Sequence, residues 1–296
     1  MLAKDLTDTE YFYGHKACPG CALGIVCRLA LKVCGPKTML VLPASCASSV
    51  TAVYPQMSVL TPQMTGSFPA TGALLTGLAA GFQAIGEEGV TVLGIAGDGG
   101  TTDIGLQSLS GAIEQGKNFL YICYDNEAYM NTGVQRSSAT PTGAVTTTTP
   151  VVPKEQPKKD FIRIMEAHHP KYLATASSSY PGDLYNKFLR AKEIRGTRFI
   201  YLAIPCPPGW GFPTKDTVTV GRLAVESGIV ILFEVDEGVY KLTGKSLSMA
   251  RSGRKRPVDE YLKIQGRFRR MAPEDVTNFQ RQVDEQWERS LKKAGL

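Results

Sequence analysis

Two sets of side chains in this sequence have the types and spacing for chemistry. The first is Gly97-Asp98-Gly99-Gly100 together with Asn126. Glycines let a backbone approach a ligand closely and adopt positive φ, and Asp98 sets a hard carboxylate oxygen beside them. A carboxylate repels a phosphate group unless a cation lies between them. Mg2+ suits that position, because it takes one or two protein oxygens plus phosphate oxygens and water. Asn126 offers a further oxygen. Taken alone, the glycine turn also reads as an ordinary tight connection with Asp98 as a cap. The second set is made of thiols. In Cys18-Pro19-Gly20-Cys21 the Pro-Gly pair forces a turn, so both thiols can face one point. Cys46 and Cys206 lie far along the chain. Four thiolates hold either a 4Fe–4S cluster or a structural zinc, and spacing leaves both open.

The hydrophobic pattern predicts the elements that must position these groups. Residues 91–96 read as a buried strand ending on the glycine turn, followed by a helical pattern over 104–115 and a second apolar run over 119–124 that ends at Asp125-Asn126. Such a unit delivers backbone N–H groups and a helix N-terminus to a phosphate. Upstream, residues 1–13 read as an arm and 22–33 as a helix with Leu23, Val26, Cys27, Ala30 and Leu31 on one face. Residues 38–44 form a short buried strand, and Cys46 follows its end, where parallel sheets carry their chemistry. Residues 67–86 form a close-packed Ala- and Gly-rich helix.

Downstream, residues 131–159 make a long Thr/Pro-rich loop, functional or disordered. Helices are expected over 158–167 and 181–195, and strands over 171–176, 197–204 and 229–235, with Cys206 just past the second of these. Residues 257–268 and 273–294 read as amphipathic helices. Strands alternating with helices predict an α/β fold, a mostly parallel sheet with helices on both faces. Residues 1–238 would form the main domain and 239–296 a C-terminal helical extension packed on it or on a partner subunit. Cys27, Cys34 and Cys123 read as core, His168 and His169 as a helix end, and Trp210 as a packing anchor.

With 296 residues, 43% of them hydrophobic, the chain can bury a large core. No apolar run is long enough to cross a bilayer, and the first residues lack the apolar segment of a secretory signal, so a cytoplasmic location is expected, with no membrane partner. Seven cysteines then point to metal or core use rather than disulfides. The net charge of +6 is concentrated in 251–256 and 267–270. No aromatics are interleaved there for base stacking, so these residues read as a solvated surface or a subunit contact rather than a nucleic-acid site.

The pairing of GDG with the downstream Asn resembles the thiamine-diphosphate-binding family. More closely, the segment GDGGTTDIGLQSLSGAIEQGKNFLYICYDNEAYMNTGVQ resembles the beta subunit of 2-oxoacid:ferredoxin oxidoreductases, most of all the pyruvate branch. The likeness covers about residues 14–235, with a weaker match at GRFRRM near the C-terminus. It implies that Gly97, Asp98, Gly99 and Gly100 lie at the cofactor. Asp98, the Asn126 side chain and the main-chain carbonyl of Ala128 would hold its Mg2+, and Asn131 of the MNTG segment would lie over the thiazolium and the reacting carbonyl. It also implies a 4Fe–4S cluster on Cys18, Cys21, Cys46 and Cys206. His15 belongs to the same signature and is most simply a hydrogen-bonded turn histidine.

The implied activity is oxidative decarboxylation of a small 2-oxoacid, with pyruvate favoured, CoA as acyl acceptor and electrons passing to ferredoxin. Other subunits would complete the thiamine site. Two departures bear on the substrate. Ala22-Leu23 stand where many members carry Gly-Glu, and Ser45-Cys46-Ala47-Ser48 stand where Gly-Cys-Leu-Glu is usual. A less acidic site suits a more negatively charged substrate, which sets oxalate, converted to CO2 without CoA, beside pyruvate. Two further readings are a non-oxidative decarboxylase subunit with structural zinc and a redox relay with a degenerate cofactor site.

Overall fold

The run Phe119–Asp125 shows why this sheet is covered on both sides. Successive side chains of a strand point to opposite faces, and here both sets are apolar. Leu120, Ile122 and Tyr124 enter one core, while Phe119, Tyr121 and Cys123 enter another. In the computed structural model, which describes residues 6–52, 55 and 57–296, this run is the fourth of eight strands. The strands are β1 (Thr38–Pro43), β2 (Gln63–Gly66), β3 (Thr91–Gly97), β4 (Phe119–Asp125), β5 (Tyr172–Ser177), β6 (Thr197–Ala203), β7 (Phe233–Asp236) and β8 (Val239–Leu242). Their order is β2-β1-β3-β4-β6-β5-β7-β8. Pairings from β2 through β5 are parallel, whereas β5–β7 and β7–β8 are antiparallel.

Helices Leu23–Cys34 and Pro181–Glu193 cover the first face, and Thr71–Ala84, Leu106–Glu114 and Phe161–Ala167 the second. The small residues of Thr71–Ala84 let it lie close to Leu106–Glu114, where the Ala73 N–H donates to Ser108 Oγ at 2.9 Å. A third core joins Trp210, Val220 and Leu223 to Val258, Tyr261, Phe268 and Val283 of the C-terminal segment. The expected mostly parallel α/β sheet with a helical C-terminal region is therefore what the chain forms. Among the described residues no helix is long and apolar enough to cross a membrane.

Several boundaries differ from the sequence reading. Strand β2 falls in a stretch too short and polar to announce itself. The 229–235 run contributes only its end to the sheet, where it pairs antiparallel with β5 on one side and, through a tight turn, with β8 on the other. The expected helix over 104–115 starts late, at Leu106, after a wide π-helical turn over Gly99–Asp103. The 257–268 pattern breaks after Val258–Lys263 and resumes as a single 3-10 turn, Gly266–Phe268. The 131–159 loop is ordered by its own polar groups. Lys154 Nζ donates to the carbonyls of Ser138, Thr140 and Pro157, and the Thr147 N–H donates to Val134. The first five residues of the expected N-terminal arm lie outside the described residues, and its later part bridges Phe12 to Val59.

The topology fixes where a ligand can sit. The chain leaves β1 towards β2 and leaves β3 towards β4, so the neighbours β1 and β3 feed segments that diverge. In doubly wound sheets the crevice at the carboxyl ends of such a pair is where ligands bind. Cys46 follows β1, Asp98 follows β3, Asn126 follows β4 and Cys206 follows β6, all on this edge.

Candidate functional site

Parallel register sets Gly97 beside Tyr124, so the residues after both strands, Asp98 and Asn126, emerge together. One terminal atom of the Asn126 carboxamide stands 2.9 Å from Asp98 Oδ1 and 3.1 Å from the Ala128 carbonyl oxygen. With the amide nitrogen turned inward it donates to both. With the oxygen inward, three hard oxygens face one another. Octahedral Mg2+ with ligands at about 2.0–2.1 Å puts adjacent ligand oxygens roughly 2.9 Å apart, so the donor set and its spacing fit that ion. Asp98 is fully buried, and its other oxygen accepts from Ser137 Oγ at 2.7 Å. Burial, then the neighbouring Asp125 carboxylate, raises its pKa well above the ordinary range, and the Ser137 hydroxyl only partly offsets this. A cation at this point would relieve both effects.

The positive φ expected at the three glycines Gly97, Gly99 and Gly100 is absent. A Cβ on them would instead meet the chain's own rings: Tyr124 at Gly97, Tyr129 at Gly99 and Phe68 at Gly100. Glu127, between Asn126 and Ala128, holds the left-handed conformation (φ 67°), which is uncommon for a residue with a side chain.

A set of charges that sequence reasoning missed surrounds this turn: Asp125, Glu127 and Arg267 are buried, and Lys158 is half-buried. Lys158 Nζ reaches Asp125 Oδ2 at 2.5 Å and Glu127 Oε1 at 2.7 Å, and Arg267 pairs with Glu127 Oε2 at 2.6 Å. Burial works against ionisation of Glu127, but Lys158 and Arg267 outweigh it and hold its carboxyl below the usual range. Trp210 Nε1 donates to the Asn126 carbonyl at 2.8 Å, and the Arg267 guanidinium lies 3.9 Å from the centre of the Trp210 ring. The basic 267–270 cluster is only partly the surface expected: Arg267 is buried, whereas Arg269 and Arg270 are exposed, with Arg270 donating to the carbonyls of Pro150 and Val151. The legible signal was three carboxylates on one sheet edge, which cannot all be buried without cations.

The cysteines gather on the same edge. Gly20 is left-handed (φ 76°), and a Cβ there would stand 2.7 Å from the Thr214 carbonyl oxygen, so the Pro-Gly turn seats Cys18 and Cys21 against the segment after Cys206. Burial pushes the Cys46 thiol up to about 12, with Cys206, Cys21, Cys18 and Asp98 adding to it. Cys206 rises to about 11 for the same first reason. The Leu23 and Gly209 N–H groups donate to the sulfurs of Cys21 and Cys206. A thiol-only donor set with amide donors aimed at sulfur suits an iron–sulfur group. Among the described residues, however, no three His, Cys, Asp or Glu side chains close on one point tightly enough to hold a metal. Cys27, Cys34 and Cys123 are buried core residues, as expected. His15 is a turn histidine whose Nδ1 accepts from the Ala17 N–H and whose ring stacks on Phe12.

Asn131 is exposed at the crevice, where its Oδ1 accepts from Ser49 of the helix Cys46–Thr51 at 3.2 Å. The segment therefore spans from the β4 end to the β1 end. Beside it, Met130 lies over Gly209, where a Cβ would stand 2.3 Å from its sulfur and 3.3 Å from Cys206 Sγ.

Comparison with known proteins agrees with this arrangement. Residues 44–202 match the family described as thiamine pyrophosphate enzyme, C-terminal TPP binding domain. The chain is 43% identical over 297 residues to pyruvate synthase subunit PorB of Methanocaldococcus jannaschii, covering 96% of this chain and 98% of that one. It is 44% identical over 296 residues to ketoisovalerate oxidoreductase subunit VorB of Pyrococcus horikoshii, covering 97% and 94%. Its fold resembles a 2-oxoglutarate:ferredoxin oxidoreductase from Magnetococcus marinus, with TM-score 0.57, 20% identity and 70% of this chain and 68% of that chain covered. With a sheet edge built for a cofactor and full-length relatives of one kind, the chain belongs to the 2-oxoacid:ferredoxin oxidoreductases, as their thiamine-diphosphate-dependent beta subunit.

Proposed function

We propose that this chain contributes the diphosphate-binding half of the active site of a cytoplasmic 2-oxoacid:ferredoxin oxidoreductase. The reading rests on one observation, the approach of the Asn126 carboxamide to Asp98 and the Ala128 carbonyl within about one octahedral edge of Mg2+. Asp98, Asn126 and the Ala128 carbonyl would hold Mg2+, and the backbone of the Gly97–Gly100 turn would border the diphosphate. Exposed Asn131, tethered to Ser49, orients the substrate carbonyl at the crevice. Cys18, Cys21, Cys46 and Cys206 would hold a 4Fe–4S cluster. When bound, thiamine diphosphate stabilises the negative charge left by loss of CO2, and the cluster carries single electrons towards ferredoxin. The half of the site absent from this chain comes from other subunits; β8 (Val239–Leu242) belongs to the main sheet, so the extension expected over 239–296 starts after it, at about residue 243, and packs on the sheet domain.

For the substrate, pyruvate with CoA is the first reading and 2-oxoisovalerate the second, because relatives named for each stand at nearly equal identity. Oxalate keeps a place only through the less acidic surroundings of Cys21 and Cys46. The test is anaerobic reduction of a viologen dye by the assembled complex, offered each 2-oxoacid with and without CoA. Pyruvate-dependent reduction that needs CoA is expected, and reduction by oxalate alone overturns it. Asp98→Ala in the complex abolishes both thiamine-diphosphate retention and dye reduction; retention of both overturns the clamp and leaves the relay reading.

A further inference from the structure

Arg267 lies 140 positions after Glu127 in the sequence, yet its side chain ends at the cation clamp. It is buried among Trp210, Phe268, Tyr261 and Gln265, and Glu127 is its only anionic partner among the described residues. Glu127 is the left-handed residue between the two clamp donors that follow β4. A backbone held in that region is strained for a residue with a side chain and persists only where its surroundings over-determine it. The surroundings here are specific. The Glu127 N–H donates to Asp125 Oδ1, its carbonyl accepts from Thr140, and its two carboxylate oxygens go to Lys158 and Arg267. Arg267 also stacks on the indole whose N–H fixes the Asn126 carbonyl. One guanidinium therefore braces the peptide that joins Asn126 to Glu127, through the indole on its carbonyl and through the Glu127 carboxylate.

We propose that Arg267 is a positioning residue for the divalent cation. It holds Glu127 left-handed, and so keeps the Asn126 carboxamide and the Ala128 carbonyl aimed at Asp98. The proposal rests on the clamp reading above. An arginine that merely tied the C-terminal segment to the sheet domain would affect stability but leave the Mg2+ requirement unchanged.

The experiment measures the Mg2+ concentration for half-maximal thiamine-diphosphate binding to the assembled complex, by quenching of intrinsic fluorescence. Three variants are compared: Arg267→Met, Arg267→Lys and the double Arg267→Met/Glu127→Gly. Partners behind a metal's direct ligands typically change its affinity by about 10–100-fold, so R267M is expected to raise the Mg2+ half-saturation about 10-fold or more. R267K recovers part of this through the restored charge. The double variant returns close to the unaltered value, because glycine takes positive φ without strain and Lys158 keeps Asp125 as its partner. Iron and sulfide content stays unchanged throughout. An R267M complex with unaltered half-saturation, or a double variant no better than R267M, overturns the proposal. If R267M fails to assemble, the double variant decides alone: near-normal Mg2+ dependence supports the proposal, and a shift of about 10-fold sinks it. If Asp98→Ala also leaves the Mg2+ dependence unaltered, it is the clamp reading that fails.

Discussion

The oxygen clamp and the thiol group share one sheet edge but are built in opposite ways. The clamp's donors follow two adjacent strands, and buried charges and a left-handed residue fix their backbone. Its three polar groups can also satisfy one another without a cation, by a turn of the Asn126 amide. The thiols come from four separated segments, from exposed Cys18 to half-buried Cys46. At neutral pH, burial keeps Cys46 and Cys206 protonated, and no three of the thiols converge. The oxygen donors are thus held by their surroundings, whereas a metal proposed at the thiols would have to displace protons on binding.

The largest effect expected separates the two regions outright. Cys206→Ser should eliminate the iron–sulfur group, read by anaerobic iron and sulfide analysis, while the Mg2+ dependence of thiamine-diphosphate binding stays unaltered. Loss of both together would show that the clamp is not independent of the thiols. Lys158→Met attacks the other side of the comparison. It leaves Asp125 without its cation and Glu127 with only Arg267. Removing one partner of a fully buried ion pair costs about 3–5 kcal/mol; Lys158 is half-buried, so a smaller cost and a drop of a few degrees in the thermal midpoint of the complex are expected. An unchanged midpoint would mean the clamp does not depend on its charges.

A smaller effect is expected at the far side of the glycine turn. Burial opposes ionisation of Asp103, but bonds from Ser138, Tyr129 and Lys159 outweigh it and set its pKa below the ordinary 3.8. A carboxyl lowered on folding stabilises above its unfolded value and loses that contribution as pH falls through its folded value. Protease resistance of the 131–159 loop should therefore hold from neutral pH to about pH 4 and decline only below it. Tyr129→Phe, which removes one donor at 2.9 Å, should cost about 0.5–1.5 kcal/mol and move that decline upward; an unmoved pH profile would exclude Asp103 as the anchor.

What the sequence could reveal follows the range of the interactions. Strand β4 and the pairing of Asp98 with Asn126 were legible because a buried parallel strand writes its apolar run and its polar end locally. The placement of Cys46 and Cys206 past strand ends on one sheet edge was legible from the strand pattern. Arg267 was not. Its neighbours in sequence are basic, so it read as surface, and only the third core shows that the 3-10 turn Gly266–Phe268 points inward. The conformations of Gly97, Gly99 and Gly100 were misjudged for a related reason, since the rings of Phe68 and Tyr129 that fill the space of their missing Cβ atoms come from outside the turn.

The bond between Glu127 and Arg267 also sets an order of events at the ribosome. The two residues are 140 positions apart, and at about 5–20 residues per second some 7–28 s pass between their syntheses. By the end of that interval all eight strands, β1 to β8, have been made, but the turn after β4 still lacks the Arg267 guanidinium. On the proposed role of Arg267, tight cation binding is therefore expected only after residue 267 has been made, and a chain cut between β8 and residue 267 should bind the cation more weakly.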